Sequence, residues 1–227
     1  MEIKALPEAG IDAATEKRLK DYAALLLEMN CRVRLVGPRD FGTLWDAHIC
    51  DCLKLLPLLP ESGSVADVGT GGGLPGAVLA ICRPDLGFTL MDSVSRKTNA
   101  LSEMVARLGI ANAQVECVRS EDYAAKKRET FDCATVRAVS EAGVIAEYLS
   151  PLVKKGGSLL AMKGSSVAGE IEGISGKWKR LGLSEPRLFA YEICGHGSYM
   201  LTWEKISRCP PQYPRQAGKA AKKPWWE

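Results

Sequence analysis

Three observations predict an α/β fold with a mostly parallel sheet covered on both faces. From residue 65 onward, short apolar and β-branched runs alternate with stretches of helical periodicity. A glycine-dense bend, Gly69-Thr70-Gly71-Gly72-Gly73, follows the first of those runs and leads into a helical pattern. The last runs, on either side of Cys194-Gly195-His196-Gly197, read as a terminal hairpin and therefore as antiparallel strands.

Taken in order, residues 13–29 place Leu19, Tyr22, Ala23, Leu26 and Leu27 at helical spacing among charged positions, the pattern of an amphipathic helix. A second helix fits 43–56, with Leu44, Ala47, Cys52, Leu55 and Leu56 on its apolar side and Pro57 stopping it. On that helix His48 and Asp51, three apart, are neighbours. The alternating part follows: strands at 65–68, 88–91, 113–118, 131–136 and 158–162, the last after a Lys155-Gly156-Gly157 turn. Helices fit 75–82, 96–108 and 141–149, with a weaker, glycine-interrupted one at 166–182. The hairpin strands are 188–193 and 199–206, which makes seven strands in all. Only the Pro-, Gly- and Lys-rich tail from Cys209 reads as poorly packed.

A chain of 227 residues is long for one domain and short for two, so one core with a terminal extension is expected. A hydrophobic fraction of 46% and a charged fraction of 25% are ordinary for a globular protein. The start, Met1-Glu2-Ile3-Lys4, lacks the basic flank and apolar stretch of a secretory signal, and no run approaches the roughly 18 apolar residues of a membrane span. The expected location is cytoplasmic. The eight cysteines are spread from Cys31 to Cys209, and several, including Cys82, Cys117 and Cys133, lie within apolar runs. They read as reduced core residues, and with no Cys-x-x-Cys pair and only two distant histidines, no metal site is expected. From Lys205 onward six basic residues face one acid, Glu227, the charge pattern of a segment that meets a polyanion.

The glycine bend admits two cofactors. Gly71-Gly72-Gly73-Leu74-Pro75-Gly76 matches the dinucleotide pattern Gly-x-Gly-x-x-Gly, with Asp92 near the place of a ribose-binding acid. The competing frame is Asp67-x-Gly69-x-Gly71-x-Gly73, in which Asp67 faces the amino group of S-adenosylmethionine, glycines such as Gly71 lie against its methionine part, and Asp92 accepts both ribose hydroxyls. Asp92 serves either frame. The remainder of the chain leaves little room for a dehydrogenase's substrate region with its proton donor, and the final hairpin suits a methyltransferase sheet, so S-adenosylmethionine is favoured.

Further motifs are Trp45-x-x-His48-x-x-Asp51 with Leu53, Leu90-Met91-Asp92-Ser93 with Arg96-Lys97, Arg137-Ala138-Val139, Lys163-Gly164, and Tyr213-Pro214-Arg215-Gln216-Ala217-Gly218. With these the chain resembles the glucose-inhibited-division-B methyltransferases, which place a methyl on N7 of a guanine in 16S ribosomal RNA. The resemblance implies a Rossmann-like class I methyltransferase. Its mostly parallel seven-stranded sheet would carry an antiparallel C-terminal strand behind an N-terminal helical extension. The expected division is an extension at 1–60, a core at 61–208 and a basic tail at 209–227. By the same resemblance the cofactor contacts fall on Gly69, Leu74, Ser120, Glu121 and Arg137, and His48 is tipped toward orienting the substrate or capping the cofactor pocket, with Asp51 fixing its ring. Two departures are Arg34-Leu35-Val36, where the family usually has Asn-Leu-Thr, and Cys52, where serine is common.

Guanine N7 carries a free lone pair and no proton, so methylation there requires no general base, and no catalytic acid or base is expected. Orientation of N7 against the methyl would supply the rate, an effect worth roughly 7 to 11 kcal/mol. The chain lacks the Asn- or Asp-Pro-Pro-aromatic turn of exocyclic-amine methylases after the fourth strand, and Cys133, within an apolar strand, reads as core rather than as a nucleophile. Lys163 and the tail bases Arg215, Lys219, Lys222 and Lys223 are candidates for phosphate contact, and Trp225-Trp226 for base stacking or packing. The expected partner is 16S ribosomal RNA or the small ribosomal subunit, met by a monomer. Two alternatives stay open: an NAD-dependent oxidoreductase, and a noncatalytic RNA-binding ribosome-assembly factor.

Overall fold

In the computed structural model residues 3–7 and 10–227 are described; residues 1, 2, 8 and 9, which the reading of the N-terminus includes, lie outside the described residues. The chain runs β1 (Ile3–Ala5), α1 (Ala13–Asn30), α2 (Phe41–Leu44), a π-helical turn (Trp45–Ile49) and α3 (Cys50–Leu53). Then come β2 (Ser64–Val68), α4 (Gly76–Cys82), β3 (Gly87–Asp92), α5 (Ser95–Arg107), β4 (Ala113–Cys117), α6 (Ser120–Lys126) and β5 (Phe131–Arg137). The remainder is α7 (Ala142–Leu149), β6 (Val153–Lys163), α8 (Val167–Glu172), a 3-10 turn (Trp178–Leu181), β7 (Arg187–Ile193), β8 (His196–Glu204) and α9 (Lys219–Lys222).

One sheet of eight strands has the order β1-β7-β8-β6-β5-β2-β3-β4. The pairs from β6 through β4 are parallel, β8 is antiparallel to both its neighbours, and β1 is parallel to β7. Chain direction across the sheet reverses at β2 and β5: β3 and β4 are added on one side, β6 on the other. A crevice outside the carboxyl ends of two such strands is where open α/β sheets bind ligands.

Strand alternation divides the core in two. Cys133, Leu160 and Met162 face α1, α4 and α5, whereas Ala134, Val136, Leu159 and Ala161 face α7, α8 and the C-terminal residues. Helix α1 starts at Asp12, whose carboxylate accepts from the Thr15 amide at 2.7 Å. Its Leu19, Tyr22, Ala23 and Leu26 are fully buried in the same cluster as Leu79, Leu90 and Leu101.

Several expectations are corrected. The sheet has eight strands, not seven, because Ile3–Ala5 pairs with Leu188–Ala190 through its backbone; its three side chains are all exposed, so no apolar pattern marks it. The helix expected over 43–56 is interrupted by the π turn, in which the Cys50 amide reaches back to the Trp45 carbonyl. The helix expected over 166–182 breaks at Gly173 into α8 and the 3-10 turn, and the Lys155-Gly156-Gly157 turn lies inside β6. The hairpin turn narrows to Cys194-Gly195, since Ile193 pairs with His196. Cys52, Cys133 and Cys209 are buried, but Cys31, Cys117 and Cys194 are exposed, so the core reading holds for only some of the free thiols.

The tail is the largest correction, because it is packed rather than loose. Cys209, Ala220 and Trp225 are buried. Arg128 donates to the carbonyls of Cys209 (2.6 Å), Pro210 (3.0 Å) and Tyr213, and the Trp225 indole donates to the Gly143 carbonyl at 2.7 Å. Trp225 and Trp226 pack edge to face with ring centroids 5.5 Å apart, and Trp225 lies 5.9 Å from Trp178. Lys205, counted among the basic residues of this region, is buried and paired with Glu129 at 2.8 Å; burial lowers its pKa. Among the described residues no helix is long and apolar enough to cross a membrane.

Candidate cofactor cleft and acceptor pocket

The glycine bend leaves β2 at the sheet's reversal point. Gly69, Gly71 and Gly73 all have positive φ (73°, 56° and 99°), which matches the Asp-x-Gly-x-Gly-x-Gly frame position by position. A Cβ on Gly69 would lie 2.6 Å from Val139, so the bend and the segment after β5 approach too closely for a side chain. The bend is held from α1, where the buried Tyr22 hydroxyl donates to the Gly72 carbonyl at 2.6 Å. It is held from the side by Asp92, which accepts from the amides of Gly71 (3.1 Å) and Val94 (2.9 Å).

Asp67 does not face the cleft, as the cofactor argument from sequence had placed it. It is fully buried, accepting from the Gly76 amide at 2.9 Å and the Thr135 hydroxyl at 3.1 Å. Burial pushes its pKa up to about 6. Its work is to tie the first turn of α4 to β5 beneath the bend.

A cleft of about 460 Å³ opens above these elements, a volume suited to a nucleoside-sized ligand. Of the expected cofactor residues, Gly69, Asp92, Ser120 and Glu121 line it. Gly71 borders it through Asp92, and Leu74 is buried behind the bend. Sequence reasoning missed Tyr148 and Ala221 on its wall; Lys97 belongs to the Arg96-Lys97 motif, and Arg119, next to Ser120, was within reach of it. The Glu121 carboxylate is fixed on both oxygens, by the Ser120 hydroxyl at 3.0 Å and by the Gly218 amide at 3.2 Å.

Arg137 is placed elsewhere. It lines a second, polar pocket of about 250 Å³ with Asp51, Met162, Lys163 and Tyr191, and this pocket shares Ala138 and Ser140 with the first. Its guanidinium lies 3.2 Å from the Asp51 carboxylate and 2.8 Å from His48 Nδ1. Tyr191 donates to the other Asp51 oxygen at 2.8 Å. The His48 ring is therefore fixed by Arg137, not by Asp51 as the helical spacing suggested; the π turn rotates the two residues apart. Burial, reinforced by the Arg137 charge, lowers the His48 pKa to about 4, so Nδ1 accepts from the guanidinium. Burial raises the Asp51 pKa, with Arg137 opposing it.

Lys163 reaches Glu170 at 2.6 Å and the Ser140 carbonyl at 2.9 Å. Arg215 is committed to the buried Glu147, with Nε to Oε1 at 2.8 Å, and Lys219 is exposed on α9. Among the described residues no cluster of three or more His, Cys, Asp or Glu residues is arranged to hold a metal ion. A roomier groove of about 660 Å³ between α8 and Pro186 is mainly apolar, with Glu172, Ser175 and Glu185 among its lining residues, and holds none of the expected site residues.

Comparison with known proteins agrees with this fold. The chain is 35% identical over 214 residues to the ribosomal RNA small subunit methyltransferase G of Moorella thermoacetica, covering 91% of this chain and 88% of that protein. It is 37% identical over 207 residues to the protein of the same name from Desulfitobacterium hafniense, covering 89% and 86%. In fold it is similar to a SAM dependent methyltransferase from Aquifex aeolicus (TM-score 0.54, 16% identity, 80% of this chain and 97% of that one). It is also similar in fold to a precorrin-6y C5,15-methyltransferase from Geobacter metallireducens (TM-score 0.51, 9% identity, 76% and 93%). The profile of the GidB family, rRNA small subunit methyltransferase G, matches residues 15–190, and the chain belongs to that family of ribosomal RNA methyltransferases.

Proposed function

We propose that the protein transfers the methyl of S-adenosylmethionine to N7 of a guanine in 16S ribosomal RNA. The observation that carries this reading is the pair of cavities joined at Ala138 and Ser140 at the sheet's reversal point. One is bounded by the glycine bend and Asp92, the other by Arg137, Asp51 and Tyr191. Asp92 and Glu121, with the backbone of the bend, are the groups that would hold the nucleoside, and S-adenosylmethionine would supply a methyl already activated on a positively charged sulfur.

The chain's own residues then orient rather than exchange protons. Guanine N7 offers its lone pair without deprotonation, the new N–C bond forms as the S–C bond breaks, and positive charge passes from sulfur to the purine. Neutral His48 and the Arg137–Asp51–Tyr191 network keep the acceptor pocket's walls fixed, so the gain comes from alignment. The target base must leave its stack to enter so small a pocket. Exposed Arg119 and Lys219 are suited to nearby phosphates, which makes binding salt-dependent. The protein would work as a cytoplasmic monomer without a metal.

Labelled S-adenosylmethionine incubated with small-subunit particles lacking the modification is expected to mark one guanine, found by mapping the labelled nucleotide. Tight uptake of NADH with no affinity for S-adenosylmethionine would refute the reading. Binding of S-adenosylmethionine without transfer to any state of the RNA would favour a noncatalytic assembly role.

A further inference from the structure

The C-terminal tail is tied to the cofactor cleft and not only to the core. Three attachments run along α7: Trp225 donates to the Gly143 carbonyl, Arg215 pairs with the buried Glu147, and the α9 residue Ala221 lines the cleft beside Tyr148. Between the second and third of these, the Gly218 amide donates to Glu121 Oε1, the oxygen left free by Ser120. Gly218 reaches this position with φ at 77°, a conformation that suits glycine and ends the extended part of the tail. The charge on the tail points the same way. Arg215 is neutralised by Glu147 and Lys205 by Glu129, so two of the six cations that suggested a polyanion contact are already spent inside the protein.

The geometry points to the tail as a working wall of the cofactor site: α9 closes the cleft through Ala221, and the Gly218 amide sets the Glu121 carboxylate in its binding orientation. Gly218 and Arg215 are positioning residues in this assignment, acting through Glu121 and α9. It rests on the reading of the cleft as the S-adenosylmethionine site. Two consequences separate a wall from a merely structural anchor. Ligand in the cleft must stabilise the docked tail, because whatever binds the docked form preferentially shifts the chain toward it. Bulk added on the cleft side of α9 must oppose the ligand while leaving the fold alone.

Ala221 and Lys222 are both exposed on α9, and only Ala221 faces the cleft. The test uses the full chain and S-adenosylhomocysteine as probe, with Ala221→Trp and Lys222→Trp compared by titration calorimetry. Ala221→Trp is expected to raise the Kd at least tenfold and Lys222→Trp to leave it within about twofold, with thermal midpoints unchanged in both. In the unsubstituted chain, amide exchange across residues 215–225 is expected to slow when the probe is added. A Kd that does not rise in Ala221→Trp, or tail exchange indifferent to the probe, overturns the assignment while the cofactor reading stands. A folded, unsubstituted chain that does not take up the probe overturns both.

Discussion

Asp67 carries the pH dependence that this fold makes most directly measurable. It is fully buried with no cation beside it, and its polar neighbours, the Thr70 and Thr135 hydroxyls and the Gly76 amide, do not offset the loss of solvent. A rise from the ordinary 3.8 to about 6 corresponds to roughly 3 kcal/mol, at about 1.4 kcal/mol for each pKa unit. Because the folded chain holds this proton more tightly than the unfolded one, the stability it contributes is full below about pH 3.8 and is lost as pH rises through about 6. In Asp67→Asn the carboxamide oxygen still accepts from Gly76 and its NH2 donates to Thr135, so the shape is kept and the titration removed. Urea unfolding of both chains at intervals from pH 4 to pH 8 isolates the difference, since every other group titrates in common. The variant is expected to gain roughly 2 to 3 kcal/mol on the parent across that range. Parallel stability curves, or a variant that loses ground as pH rises, would refute the argument that Asp67 is a desolvated, uncompensated acid.

Other outcomes follow from the same geometry. Tyr22→Phe leaves the Gly72 carbonyl without its donor, and should cost about 1 to 3 kcal/mol in denaturant unfolding and weaken S-adenosylhomocysteine binding in calorimetry. Gly71→Val puts a β-branched residue at φ 56°, with its Cβ 3.5 Å from the Leu35 carbonyl; strain of about 1 to 3 kcal/mol is expected, with loss of probe binding and a retained circular dichroism spectrum. Arg137→Ala strands the largely buried Asp51 and should destabilise by about 3 to 5 kcal/mol, and Arg137→Ala with Asp51→Asn should recover part of that loss in the same unfolding assay.

The sequence was most legible where local chemistry and tertiary role agree. The β2 run followed by glycines at 69, 71 and 73 announces both a strand end and backbone with positive φ, and β2 does end at Val68 with φ positive at all three glycines. Asp92 at a strand end likewise reads directly into the cleft. Asp67 was misplaced because a carboxyl at a strand end can turn up toward the ligand or down toward the helix it precedes. Spacing does not distinguish these, whereas the close approach of Gly76 does. The His48–Asp51 pairing failed because a π turn has no signature in apolar periodicity, which presumes an α-helical repeat. β1 was hidden because backbone pairing alone defines it, and the tail because its anchors are single residues, Cys209, Ala220 and Trp225, set among prolines and lysines.

The aromatic cluster that receives the tail gives the molecule an optical reporter of its own. Of its five tryptophans, Trp45 lies apart on the N-terminal side, stacked on Phe41, whereas Trp203, Trp178, Trp225 and Trp226 form a chain of rings in that order, with successive centroids 5.4, 5.9 and 5.5 Å apart. Rings this close exchange excitation, and Trp225 and Trp226 belong to the segment that forms a wall of the cleft. Emission from the cluster therefore registers release of that segment without any attached dye, and Trp45 supplies an internal reference in the same spectrum.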